Sequence, residues 1–262
     1  MAFARLGDVT LHYRDEGPED GPPLVLLHAL GTNLTLFDAL LPHLPPGLRI
    51  LRPDARGHGA SSVPPGPYPM GALVRDAEAF MDHLGVTDAV VMGVSLGGLV
   101  AQGLAVKRLD LVRGLILSNT AARIGNTALW EDRIAAVRAG GLAALSEATL
   151  ARWFPRPFRD GPAAQGWRAE LEATNPEGWC GSAAAIAHAD FLATTSTLRL
   201  PTLAIAGGHD GSTPPDMVRE TAALIPGSRF TLIRSAGHLP MIDAAPDCGT
   251  AIAGFLREVG HV

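Results

Sequence analysis

Gly93-Val94-Ser95-Leu96-Gly97 is a Gly-x-Ser-x-Gly pentapeptide set between two readable elements. Ala89-Val90-Val91-Met92 before it is short, apolar and partly β-branched, which predicts a buried strand. The stretch after it, Gly98-Leu99-Val100-Ala101-Gln102-Gly103-Leu104-Ala105, predicts a helix packed closely on that strand. Strand, sharp turn and helix are the surroundings in which such a serine stands exposed as a nucleophile at the carboxyl edge of a sheet. The turn forces Ser95 into a strained backbone, so the residues beside it must be small. Gly93 and Gly97 have no Cβ to clash. An incidental serine in a Gly-rich turn would need none of these flanks.

Working outward, Val9-Thr10-Leu11-His12-Tyr13 alternates as a strand, and Glu16 to Pro23 reads as a turn-rich hairpin loop. Leu24-Val25-Leu26-Leu27 is a continuous apolar strand ending at His28. A helix is expected from Leu34 to Leu44, a strand at Leu48-Arg49-Ile50-Leu51, and a helix from Met70 to Leu84. Val112 to Leu117 is the next strand. Strands alternating with helices predict an α/β fold with a mostly parallel central sheet flanked by helices. The pattern changes near Asn119. No strand is legible from there to about Thr197, and all four tryptophans, Trp130, Trp153, Trp167 and Trp179, lie in this stretch. Alternation returns with Thr202 to Ala206 and Phe230 to Ile233, and a helix from Pro246 to Val259 closes the chain. The expected organisation is a core of residues 1–121 and 198–262 with a helical cap, 122–197, inserted between core strands. Such an insertion lies over the edge where parallel sheets bind ligands. Its tryptophans serve either a small core of its own or a ligand, or both.

The chain has 262 residues, of which 47% are hydrophobic and 18% charged, enough for one α/β domain with an insertion. Its net charge of −5 argues against a nucleic-acid surface, which needs a basic face. Two cysteines, Cys180 and Cys248, make no disulfide framework and fit a cytoplasmic protein. The stretch from Met1 to Asp8 lacks the basic start and apolar run of a signal peptide, and no apolar stretch is long enough to span a bilayer. No His, Cys and carboxylate cluster has metal-ligand spacing, so no metal and no cofactor are expected. Arg56-Gly57-His58-Gly59 lacks the Gly-Lys-Ser/Thr of a phosphate loop and reads as a structural turn. The expected partner is a small ester or lactone, with neither nucleic acid nor membrane. Oligomeric state is not legible.

A serine hydroxyl is a poor nucleophile until a base takes its proton, and the base needs a carboxylate to hold its tautomer. With this kind of turn the chain order is Ser, then Asp or Glu, then His. Asp210 lies in Ala206-Gly207-Gly208-His209-Asp210, just past a strand's carboxyl end. His238 lies in Ser235-Ala236-Gly237-His238-Leu239, just past the next. Both therefore reach the edge where Ser95 stands. Asp216 and Asp243 lie further from strand ends, His209 adjoins the acid and precedes it, and His188 sits in the insertion. The oxyanion of a tetrahedral intermediate needs fixed donors. The Leu96 N–H supplies one, and the Leu30 N–H, in the loop after the Leu24–Leu27 strand, is expected to supply the other.

These residues resemble the α/β-hydrolase superfamily over nearly the whole chain. Asp54-Ala55-Arg56-Gly57-His58-Gly59-Ala60-Ser61 is similar to a turn common there. Within that superfamily the chain looks like the 3-oxoadipate enol-lactonases. The narrower likeness rests on Leu30 to Leu34, Asn119 to Gly125, Trp130 to Arg138 and Ala173 to Gly178. Three departures stand out: Asn33 where such enzymes often have Asp, Phe37 for Trp and Leu96 for Met. The resemblance implies hydrolysis of 3-oxoadipate enol-lactone to 3-oxoadipate in bacterial catabolism of protocatechuate or catechol, with no cofactor. A carboxylesterase, or a cofactor-free haloperoxidase or perhydrolase, would share the same triad. A dehalogenase would carry Asp at position 95. A different class is a ligand-binding protein without turnover on the same fold.

Trp130, Ile134 and Val137 fall at i, i+4 and i+7, so they share a helix face, and Arg133 borders it. Arg133 is either a surface residue whose stem covers apolar area or a guanidinium aimed into the cleft at a substrate carboxylate. Residues 122–195 hold seven arginines and eight acids, so the insertion offers no general attraction for an anion. A specific arginine is needed, with Arg123 as the second candidate beside Arg133.

Overall fold

The computed structural model describes residues 2–262. Its frame is one eight-stranded sheet: β1 (Ala2–Leu6), β2 (Val9–Glu16), β3 (Pro23–Leu27), β4 (Arg49–Pro53), β5 (Ala89–Val94), β6 (Val112–Ser118), β7 (Thr202–Gly207) and β8 (Arg229–Ile233). The order across the sheet is β1-β2-β4-β3-β5-β6-β7-β8. Pairings β1–β2 and β2–β4 are antiparallel, and all others are parallel. β5 and β7 are buried at every residue, as parallel strands covered on both faces must be.

Helix α1 (Met70–His83) buries Leu73, Val74, Ala77, Phe80 and Met81. Each large side chain hidden this way contributes roughly 1.5–3 kcal/mol. Helix α2 (Leu96–Lys107) is buried from Leu96 to Ala105 on all sides, so it lies inside the fold. Between β6 and β7 the described chain contains only helices: α3 (Thr127–Gly140), α4 (Ala143–Trp153), α5 (Arg156–Arg159), α6 (Ala163–Ala173), α7 (Pro176–Ala187) and α8 (Leu192–Thr195). There α3 packs on α7, and α4 packs on α3 and α6. After β7 come α9 (Pro215–Leu224), α10 (Pro240–Asp243) and α11 (Ala245–Glu258).

The structure corrects two local expectations. The segment from Leu34 to Leu44 is not one helix but two 3₁₀ turns, Leu34–Phe37 and Leu41–His43. Pro42 explains the break, because it has no N–H and its ring clashes with the carbonyl four residues back. Glu16 to Pro23 does not close a hairpin. β4 lies between β2 and β3, and Leu51 pairs with Asp15 on one side and Val25 on the other. The true hairpin is β1–β2, and β1 was not legible as a strand.

The order of strands also locates a crevice. From β3 the chain moves outward to β4 and then returns to the far side of β3 as β5. The exits of β3 and β5 therefore diverge, and ligands of open α/β sheets bind at such a reversal. Leu27 pairs with Gly93, so His28–Gly31 and Ser95 leave the sheet side by side.

Candidate active site

Ser95 has φ 54° and ψ −111°, a backbone that L-residues rarely adopt. Strain of this kind costs about 1–3 kcal/mol and persists only where the surroundings impose it. Here the surroundings are close backbones. A Cβ on Gly93 would lie 2.2 Å from the Gly97 carbonyl oxygen, and one on Gly97 would lie 2.1 Å from that of Leu27. The Ser95 N–H donates to the Ser118 carbonyl at 3.1 Å, and the Thr120 hydroxyl donates to the Ser95 carbonyl at 2.7 Å.

Asp210 and His238 meet on the loops after β7 and β8. His238 Nδ1 lies 2.8 Å from Asp210 Oδ2. A carboxylate there only accepts, so Nδ1 carries the proton and Nε2 is left with its lone pair. Asp210 Oδ2 also accepts from Asn119 Nδ2 at 2.9 Å and the Thr213 hydroxyl at 2.8 Å. Its Oδ1 accepts from the backbone N–H groups of Ser212 at 2.7 Å and Thr213 at 2.9 Å. Burial alone would raise the Asp210 pKa. The imidazole beside it and these donors more than offset that, and hold the carboxyl below its ordinary value. No hydrogen bond joins Ser95 Oγ to His238, and bonds of this kind commonly tighten only with substrate bound.

The rival groups fall elsewhere. Asp216, His209 and His188 are exposed. Asp243 holds the His238 loop from its other side, with Oδ2 accepting from the Gly237 N–H at 2.7 Å. Its Oδ1 is buried without a partner. Burial, with the charge of Asp210 adding to it, pushes the Asp243 carboxyl up to about 6. Asn119 Nδ2 donates to the Gly237 carbonyl at 3.2 Å, so the residue before His238 is gripped at both ends.

Leu30 and Leu96 flank the crevice, and neither N–H donates to an acceptor among the described residues. For Leu96 this follows from its place in the first turn of α2. The Leu30 loop is pinned by two buried histidines. His28 Nδ1 donates to the Ala29 carbonyl at 2.8 Å, and its Nε2 accepts from the Ala55 N–H at 2.8 Å. His58 Nδ1 donates to the Arg56 carbonyl at 3.1 Å, and its Nε2 accepts from the Gly31 N–H at 3.1 Å. Burial lowers the pKa of His28 and, helped by His28, pushes His58 down to about 3. Both rings are therefore neutral spacers. Arg56 is taken up by Asp76, at 2.5 Å, so this turn is structural.

Above Ser95 a cleft is lined by Leu30, Ile124, Trp130, Arg133, Thr149, Arg152, Trp153, Trp179 and Ser212. Three of the four tryptophans serve both a core and the cleft, being at most 6% exposed while lining it. Trp167 packs at the edge of the core. Arg133 sits with Cζ 4.7 Å from the Trp130 ring centre. Arg123 does not reach the cleft. Its side chain is 57% exposed and pairs with Asp190 at 3.3 Å, because it precedes α3 on the outer surface. Sequence reading missed Asn119 and Arg152. An Asn at a strand's carboxyl end, free to adopt its φ of 49°, was a usable signal for the first. Among the described residues no group of three or more His, Cys, Asp or Glu is placed to hold a metal, and no helix is long and apolar enough to cross a membrane.

A family model for the alpha/beta hydrolase fold matches residues 22–245. The chain is 35% identical over 205 residues to 3-oxoadipate enol-lactonase 2 of Acinetobacter baylyi, covering 78% of this chain and 77% of that one. It is 33% identical to an enol-lactonase of Burkholderia xenovorans LB400 of known structure, with TM-score 0.94 and coverage of 98% and 100%. A thermophilic esterase from Thermogutta terrifontis, solved with malate bound, is 33% identical with TM-score 0.91, over 99% and 97% of the two chains.

Proposed function

Because this chain belongs to the alpha/beta hydrolase fold family and is a carboxylic-ester hydrolase, we propose that it opens the lactone ring of 3-oxoadipate enol-lactone to give 3-oxoadipate, in the breakdown of aromatic compounds. Ser95 Oγ attacks the lactone carbonyl while His238 Nε2 takes its proton. The Leu30 and Leu96 N–H groups receive the oxyanion. The ring oxygen leaves as an enolate, which the imidazolium protonates and which collapses to the ketone. Water activated by the same imidazole then hydrolyses the acyl-enzyme, and Asp210 keeps the ring in one tautomer throughout. Every group needed belongs to the chain.

The observation that carries the substrate assignment is Arg133. It shares the cleft with Ser95, has no carboxylate partner, and lies beside Trp130 in the stretch that resembles the lactonases. A guanidinium there fits the carboxylate of the enol-lactone. The test is to add the protein to freshly generated enol-lactone and follow the loss of its ultraviolet absorbance. Turnover at enzymatic rates is expected, and Arg133→Leu should lower kcat/KM by ~10-fold or more. Hydrolysis of simple esters with no action on the lactone would favour the second reading, a carboxylesterase. The likeness to the Thermogutta esterase supports that reading.

A further inference from the structure

Arg152 is the second guanidinium over the cleft, and nothing in the reaction described so far uses it. It is set in place by backbone. The last turn of α4 sits between the two loops that carry the acid and the base. The Arg152 carbonyl accepts from the Gly211 N–H at 3.0 Å, and the Trp153 carbonyl accepts from the His238 N–H at 2.7 Å. The side chain then reaches the cleft, where Nη2 donates to the Thr149 hydroxyl at 3.0 Å. Both arginines are half-buried, and neither forms an ion pair. No Asp or Glu lines the cleft. Burial lowers the Arg152 pKa, and burial plus the charge of Arg152 pushes Arg133 down to about 10. Both stay cationic at neutral pH. Two partly desolvated like charges thus face one space with no counterion from the chain.

The usual explanation for a cation here is the C-terminal end of a helix, which favours positive charge. It accounts for Arg152 alone, since Arg133 lies in the middle of α3. It also leaves the mutual repulsion in place. An anion in the cleft would relieve both costs at once, and a carboxylate offers two oxygens that two guanidinium forks can share.

We propose that Arg152 and Arg133 together form an anion subsite that takes a carboxylate carried on the substrate, so that the enzyme selects carboxylate-bearing esters and lactones over neutral ones of similar length. The inference rests on Ser95 being the nucleophile of this cleft, and not on the enol-lactone itself. The test compares mono(4-nitrophenyl) glutarate with neutral 4-nitrophenyl butyrate in wild type, Arg152→Leu and Arg152→Lys. Glutarate binding is measured separately by titration calorimetry, which needs no turnover. The ratio of kcat/KM for the charged ester to that for the neutral ester should fall ~10-fold or more in Arg152→Leu. Glutarate affinity should weaken by a similar factor. Arg152→Lys should fall between, since it keeps the charge and loses the fork. If Arg152→Leu does not fold, Arg152→Gln carries the same comparison. A ratio and a glutarate affinity both unchanged would overturn the subsite and leave the hydrolase reading intact. Glutarate binding that needs Arg152, in a protein inert toward both esters, would support the subsite and count against the hydrolase reading.

Discussion

The arginines of the sheet and those of the helical insertion are the same side chain in two situations. In the sheet, Arg52 is wholly buried and held by Glu16 at 2.6 Å and Asp38 at 2.5 Å. In the turn after β4, Arg56 is likewise buried and paired with Asp76, with Asp8 at 3.4 Å. Over the cleft, Arg133 and Arg152 are half-buried and have no acid. The first pair has its counter-charges built into the chain, so its work is to fix the fold. The second pair has none, so its charge is left over for something that comes and goes. Burial alone does not separate structure from function here. The source of the counter-charge does.

That contrast can be broken or sharpened in steps. Groups at the sheet edge should affect every substrate alike. Ser95→Ala should lower kcat by on the order of 10⁶-fold for charged and neutral esters together, with the fold intact by circular dichroism. Near-wild-type hydrolysis by the folded variant would remove the sheet edge as the seat of chemistry. Asp210→Asn should cost about 10⁴-fold, again without preference between substrates. If Asp216→Asn is the crippling change instead, the acid has been assigned wrongly.

The structural arginines should show in stability. Asp76→Ala leaves buried Arg56 with only the exposed Asp8, 3.4 Å away, and should destabilise the protein by about 3 kcal/mol in urea titrations. Arg152→Leu, by contrast, should leave the unfolding midpoint unchanged or raise it, because it removes a cation that repels Arg133. A large loss in Arg152→Leu would mean that the two pairs do not differ as argued.

The smallest effect expected is a pH dependence. Asp243 rises from an ordinary 3.8 to about 6 in the folded protein. The folded state therefore holds this proton more tightly than the unfolded chain. Ionising Asp243 costs stability, by nothing below about pH 4 and in full above about pH 6. Asp243→Asn keeps an acceptor for the Gly237 N–H and removes the cost. It should gain about 3 kcal/mol over wild type at pH 8 and nothing at pH 4. Equal curves at both pH values would show that the carboxylate is relieved by some other means.

What was legible in the sequence follows from the same physics. The stretch from Ala89 to Ala105 could be read because each level agrees: β-branched residues in a short apolar run, glycines where backbones touch, small residues in the helix that follows. Asp210 and His238 could be placed because each directly follows a readable strand. β1 could not be read, since Ala2-Phe3-Ala4-Arg5-Leu6 takes its strand character from pairing with β2 and not from its own pattern. The insertion of β4 between β2 and β3 is a long-range choice that leaves no local mark. Arg152 was invisible for a related reason. Its position depends on two backbone contacts from Gly211 and His238, and those depend on chain 59 and more residues away.

Those contacts have a consequence for how this enzyme can change. The insertion is fastened to the loops that carry Asp210 and His238 through carbonyl oxygens of residues 152 and 153, which any amino acid would supply. The fastening is blind to side-chain identity. Substitution at residue 152 or 153 therefore keeps these two bonds, whatever side chain is put there. Lifting the end of α4 would break the same two bonds, so movement of the roof and the position of His238 are coupled. A library randomised at cleft-facing positions of α3 and α4 should thus yield altered substrate preference with the reaction chemistry preserved.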